Sequence, residues 1–267
     1  MRDTGVCVLQ DLNGELPSAS ISAVLGPSGA GKTFFCCALA DRLSHNAAVS
    51  GSVLLNDRFP VRAMRRVLGF CPQDDVMHVM LTVYENLIFS ARMRLRQRRR
   101  NDHLRLVERA IRLLDLECVR HSRIGSDARR GISGGQRKRV NVGMELVIDP
   151  AILFLDEPTS GLDSATARQV LDGVRRAARG GPQQRGITVV SVLHQPPFEL
   201  VQKFSVVVLM ARGGRIAYLG PCAGLGIFFG MEMGLNAPAA INPADFWLDC
   251  LTMSSADALP GPGATAA

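Results

Sequence analysis

No stretch of this 267-residue chain reaches the roughly 18 uninterrupted apolar residues that a membrane-crossing helix needs. The nearest candidate, residues 222–235, is broken by glycines and carries Glu232. The opening residues, MRDTGVCVLQ, contain an acid and no long apolar stretch, so a secretory leader is not expected. Seven cysteines form no Cys-x-x-Cys pair and no metal-ligand spacing, which excludes a zinc-binding or disulfide framework read from spacing. An odd, scattered set in an apolar chain is the pattern of reduced thiols, so a cytosolic setting is expected. No internal repeat is visible, so a single core is expected.

Hydrophobic residues make up 47% of the chain, ample for a buried core, and the length suits one large domain. Net charge is +7, much of it in Arg92, Arg94, Arg96, Arg98, Arg99 and Arg100. The plain reading of such a run is a solvated helix end and loop. Contact with anionic headgroups or nucleic acid is the sharper alternative. No aromatic residue interleaves the arginines, which argues against a single-strand nucleic-acid groove.

Gly26, Pro27, Ser28, Gly29, Ala30, Gly31, Lys32 and Thr33 read GPSGAGKT, which is Gly-x-x-x-x-Gly-Lys-Thr. Glycines at these positions let backbone N–H groups converge on phosphate oxygens. Lys32 can reach the β- and γ-phosphates, and the Thr33 hydroxyl can ligate Mg²⁺. By itself the motif implies a nucleoside triphosphate.

Alternating apolar runs and helical periodicities surround it. Ile21–Leu25 is expected to be a strand feeding the loop, and residues 32–43 the helix that it opens. Residues 53–55 and 67–70 read as further strands. Val83–Arg94 and residues 103–114 carry apolar side chains at helical spacing. Residues 136–147 form a helix stopped by Asp149-Pro150. Residues 151–155, 187–193 and 206–210 are continuous apolar runs of buried-strand type. Residues 163–178 are helical, 180–186 a surface loop, and 254–267 an expected disordered tail. The layout implies an α/β domain with a mostly parallel sheet and the phosphate loop at a strand's carboxyl end.

Asp156 ends the apolar run ILFLD, where its carboxylate would be presented at the sheet edge to hold Mg²⁺ directly or through water. Glu157 follows and points elsewhere, which suits it to orienting and deprotonating water. Ser133, Gly134, Gly135 and Gln136 open a helix with backbone amides and a hydroxyl, an anion-binding arrangement.

A Ser-Gly-Gly-Gln turn just upstream of an apolar strand ending Asp-Glu, behind a phosphate loop, resembles ABC-type ATPases over nearly the whole chain. GPSGAGKT, PQDD, LTVYENLIFSARMRL, GISGGQRKRVNVG, LDEPTSGLDS, LHQP and NPADF together look like the G subfamily, the half-transporters whose nucleotide-binding domain precedes the membrane domain. That resemblance implies a P-loop NTPase core with an inserted helical subdomain at about residues 74–149, the nucleotide-binding domain spanning residues 1–253. ATP and Mg²⁺ are the implied cofactors, with Thr33, Gln73 and Asp156 on the metal. Glu157, His194 and Gln73 are the implied catalytic set, His194 contacting the γ-phosphate. Ser133 to Gln136 would close in trans on ATP held by a second domain, head to tail, with Asp163 at the seam.

The implied function is ATP hydrolysis powering movement of a lipophilic substrate across a membrane. The implied partners are a membrane domain and a second nucleotide-binding domain, with no nucleic acid, and the place is the cytosolic face. Two alternatives stand beside it: a soluble ABC ATPase acting on ribosomes or DNA, and a nucleotide-binding module with little turnover. Departures from the family pattern are Pro17-Ser18-Ala19 where Pro-Gly-Glu is usual, and Phe34 where a small hydroxyl residue is usual. The first strand, which helps to hold adenine, would be ending where the chain begins.

Overall fold

Strands buried on both faces need continuous apolar runs, and the runs at residues 21–25, 151–155, 187–193 and 206–210 supply them. The computed structural model describes residues 7–44, 47–126, 131–181, 185–235, 237–238 and 241–253. In chain order the elements begin β1 (Ile21–Leu25), α1 (Lys32–Leu39), β2 (Leu54–Leu55), β3 (Phe59–Pro60) and β4 (Leu68–Cys71). Then come α2 (Val83–Arg94), α3 (Arg100–Leu113), α4 (Gly134–Leu146), β5 (Ile152–Asp156), α5 (Ser164–Arg179) and β6 (Thr188–Val192). The chain continues with α6 (Phe198–Val201), β7 (Val206–Ala211), β8 (Arg215–Pro221), α7 (Leu225–Ile227) and α8 (Pro243–Met253). The expected tail at 254–267 and part of the loop at 180–186 (residues 182–184) lie outside the described residues.

The chain falls into two compact units, one comprising residues 1–61 and 190–267, the other Arg62–Val189. In the first, β1 runs parallel to β7 with Ser22 opposite Val206 and Leu25 opposite Leu209. The Leu193 N–H bonds the Val24 carbonyl, which seats the end of β6 beside β1. In the second, β4 runs parallel to β5, Leu68 opposite Ile152 and Cys71 opposite Leu155. There α2 packs on α3 and α4, and α4 on β4. Parallel strands joined through helices make this an α/β fold with mostly parallel strands, as expected.

β8 was not expected from the sequence. It pairs antiparallel with β7 across a turn in which Gly213 and Gly214 take φ of 81° and 71°. A Gly-Gly pair between two apolar runs is the hairpin signal that would have found it.

Two helices differ at their ends from their periodicity. α1 stops at Leu39 rather than residue 43, because Asp41 turns left-handed (φ 51°) while Arg42 N–H bonds Cys37 O and Asp41 N–H bonds Ala38 O. α3 closes the same way, with Asp115 at φ 51° and Leu116 N–H on Ile111 O. This is the six-to-one closure that glycine usually makes, and aspartate, tolerant of that region, makes it here. α3 also begins at Arg100 instead of residue 103, its first turn being too polar to register as apolar periodicity.

Of the arginine run, Arg94 pairs with Glu145 at 2.6 Å and Arg98 with Asp149 at 3.9 Å. The others, Arg92, Arg96, Arg99 and Arg100, are exposed, in keeping with a solvated helix end and loop.

An aromatic cluster closes the first unit. Phe229, fully buried, stacks on Trp247 (5.6 Å between centroids, 11° between planes) and meets Phe228 edge-on at 5.2 Å. Trp247 in turn meets Phe198 edge-on at 5.4 Å. Phe229→Ala is expected to cost about 3–5 kcal/mol, because the stacked rings cannot collapse into the space. A urea-unfolding midpoint equal to the parent's would show that the cluster is not packed.

Candidate functional site

The phosphate loop lies wholly in the first unit. β1 is buried along its length and delivers Gly26 beside Met210 of β7. A Cβ on Gly26 would stand 2.6 Å from the Met210 carbonyl oxygen, so only glycine fits. Gly29 and Gly31 have φ of 78° and 86°, which curls the loop and lets Gly31 open α1. No side chain caps α1, and a helix start of this kind favours anions. Lys32 is 8% exposed, and its ammonium donates to the carbonyls of Gly26 at 2.9 Å and Pro27 at 3.0 Å. The cation is thus held across the mouth of the loop, where phosphate oxygens can replace the carbonyls as acceptors. Thr33 follows and is exposed; Phe34, next along α1, is 45% exposed.

His194 belongs to this half. Its Nε2 lies 3.3 Å from Ser28 Oγ of the phosphate loop, a juxtaposition of residues 166 apart in sequence. The turn behind it is pinned by Asn242 of the NPADF segment. That amide's Oδ1 accepts from Phe198 N–H at 3.1 Å, and its Nδ2 donates to Pro196 O at 3.3 Å. The first residue of NPADF thus fastens the histidine-bearing loop.

The carboxylates lie in the second unit. β5 carries Asp156 to its end, 6% exposed, and Glu157 turns out of the strand at φ 48°. The Gln73 amide, just beyond β4, donates to Glu157 Oε2 at 3.1 Å. Two residues 84 apart, both singled out from the sequence, therefore meet. Nearby, burial pushes the Cys71 thiol up to about 12, with Glu145 adding to the rise, so this cysteine is an inert packing group.

The signature segment closes on itself as a capping box. Ser133 Oγ accepts from Gln136 N–H at 3.2 Å, and Gln136 Oε1 accepts from Ser133 N–H at 2.9 Å. The serine hydroxyl still has its proton to donate. Gly134 faces open space, whereas a Cβ on Gly135 would strike the Thr166 methyl at 1.9 Å, so the segment is seated on α5. Asp163 starts that helix. Its carboxylate accepts from the Ala165 and Thr166 amides at 3.0 Å each and from the Thr166 hydroxyl at 2.6 Å. These bonds, the Thr166 hydroxyl's foremost, hold its carboxyl below the usual range. Within the chain, Asp163 is a helix cap.

Comparison with known proteins bears on both halves. A family model described as ABC transporter matches residues 9–160, more than half the chain, and takes in the phosphate loop, the signature and the Asp156-Glu157 pair. The chain belongs to the ABC transporter family. A second model, described as ABC-2 type transporter, matches residues 194–257. ABC transporter G family member 28 of Arabidopsis thaliana is 42% identical over 246 residues, covering 91% of this chain and 22% of the relative. G family member 25 of Oryza sativa subsp. japonica is 42% identical over 246 residues, with coverage of 91% and 24%. The broad substrate specificity ATP-binding cassette transporter ABCG2 of Mus musculus is 38% identical over 252 residues, with coverage of 93% and 36%. The chain is thus similar to G family members over most of its own length, and it spans about a quarter to a third of the length of those relatives. It is an ATP-binding domain of that family. Among the described residues no helix is long and apolar enough to cross a membrane.

Proposed function

We propose that this chain is the motor domain of a G-type ABC transporter, hydrolysing Mg-ATP to drive a lipophilic substrate through a membrane domain, on the same polypeptide or a separate subunit. The observation that carries the reading is the 3.1 Å bond between the Gln73 amide and the Glu157 carboxylate, directly after the buried Asp156. A carboxylate turned out of a strand end and steered by an amide is suited to align water and take its proton. Lys32 binds the β- and γ-phosphates on leaving its loop carbonyls, and His194, beside Ser28, answers to the γ-phosphate.

The Mg²⁺ ligands in this reading are the Thr33 hydroxyl, the Gln73 amide oxygen and Asp156. All are hard oxygen donors, and because Gln73 commits its amide nitrogen to Glu157, its remaining polar atom is an acceptor. When bound, the ion neutralises charge on the phosphates. The helical subdomain at about residues 74–149 and the cytosolic face of a membrane complete the proposal.

The signature acts in trans in this reading, Ser133 to Gln136 closing head to tail on a second copy's ATP, with Asp163 at the seam. Ser133→Arg is then expected to bind ATP as the parent does and to release no phosphate above background. A bulky cation there blocks closure without touching the chain's own phosphate loop. Parental phosphate release by this variant would rule out the head-to-tail pair. Parental protein that binds ATP and never turns it over would favour a binding module instead.

A further inference from the structure

The helix that begins at the signature holds the segment bearing Gln73 at three points. Lys138, Asn141 and Glu145 stand at i, i+3 and i+7 of α4, a spacing that puts them on one face. Glu145 Oε2 accepts from the Phe70 N–H at 3.0 Å. The Lys138 ammonium donates to the Gln73 carbonyl at 2.5 Å and stands 3.0 Å from Asp75 Oδ1. The Asn141 amide reaches the Asp74 carbonyl at 3.5 Å.

The central contact is sheltered. The Lys138 side chain is 15% exposed and that of Asp75 24%, so this pair is screened less than a surface pair. Lysine is also rare in this chain. Of 31 basic residues only Lys32, Lys138 and Lys203 are lysines, the rest being arginines. A compact ammonium with rotatable donors serves a carbonyl and a carboxylate that do not share a plane, which the rigid guanidinium fork does less well.

We propose that Lys138 is a positioning residue that ties the signature segment to the water-activating pair of its own chain. The proposal rests on the reading of Gln73 and Glu157 given above. Ser133 caps the helix that carries Lys138; Lys138 grips the main chain of Gln73; the side chain of Gln73 grips Glu157. A helix moves as a rod, so engagement of Ser133 by a second copy displaces Lys138 with it. The displacement then shifts the Gln73 amide against Glu157. Hydrolysis in one site thereby depends on whether the same chain's signature is engaged at the other.

Lys138→Met keeps the aliphatic length and removes the donors. It is expected to lower kcat about tenfold, the scale of a lost charge-assisted bond, with equilibrium ATP affinity and thermal midpoint at parental values. Lys138→Arg, which keeps the charge, is expected to stay within about threefold of the parent. In a Gln73→Ala background the clasp has nothing left to aim, so adding Lys138→Met is expected to leave kcat unchanged. A tenfold loss persisting in that background, or parental kcat in Lys138→Met alone, overturns the proposal.

A parent chain without turnover would instead overturn the functional reading, and a second measurement then decides. With three lysines, site-resolved acylation separates them by peptide mass. A side chain only 15% exposed and packed against Asp75 is reached slowly by an acylating reagent, so Asp75→Ala, which uncovers it, is expected to raise the Lys138 rate about tenfold and leave Lys32 unchanged. An unchanged Lys138 rate means that the clasp does not exist.

Discussion

Glu157→Gln is expected to bind ATP as tightly as the parent and to turn it over about 10²–10⁴ times more slowly. The substitution keeps the size of the side chain and one acceptor oxygen, and removes the charge that takes the proton. Gln73 can still donate to that oxygen, so the local geometry, with its 3.1 Å bond, has no reason to change. Lys32, Thr33 and Asp156 are untouched, so nucleotide and metal binding should persist. If hydrolysis resets a head-to-tail pair, the variant should accumulate as an ATP-bound dimer that the parent forms only transiently. Size-exclusion chromatography in Mg-ATP, run beside a phosphate-release assay, reads both halves. A variant that hydrolyses ATP like the parent and stays monomeric removes Glu157 from the chemistry and returns it to a solvated strand end.

The second large effect is expected at Lys32. Lys32→Ala should weaken ATP binding by about 1.5–3 kcal/mol, the scale of a charge-assisted bond to phosphate, which is roughly ten- to more than a hundredfold in Kd. Lys32 now bonds the Gly26 and Pro27 carbonyls of its own loop. Removing the side chain therefore also loosens a preformed loop, which adds an ordering cost to binding. Titration calorimetry with ATP separates the outcomes. Unchanged affinity would take Lys32 out of the phosphate contact; lost affinity with an unchanged unfolding midpoint would place the whole effect at the ligand.

GPSGAGKT could be read directly because every requirement it meets is local. Positive φ at Gly29 and Gly31, the close approach at Gly26 and the helix start at Lys32 all lie within eight residues. The buried strands were legible for a similar reason: runs apolar on both faces have no other stable place. Ser133 with Gln136 is a capping box at its regular spacing. The helix ends were less legible, because Asp41 and Asp115 do a turn's work that reading from sequence assigns to glycine. β8 escaped notice because its apolar run, Ile216 to Leu219, is short and ends at Gly220 and Pro221, residues that usually weaken a strand.

Composition and motif order determined that this is an α/β nucleotide-binding domain of the ABC family. They also determined which residue types are available for the chemistry, since phosphate loop, signature and Asp-Glu pair are each specified over a few adjacent positions. The tertiary structure alone decided which of those residues meet. Ser28 lies against His194, Gln73 against Glu157, Asn242 against the loop behind the histidine, and Lys138 against the Gln73 main chain. Such pairs are 46 to 166 residues apart. No local propensity encodes them, because their hydrogen bonds form only once parallel strands and packed helices have closed the chain between.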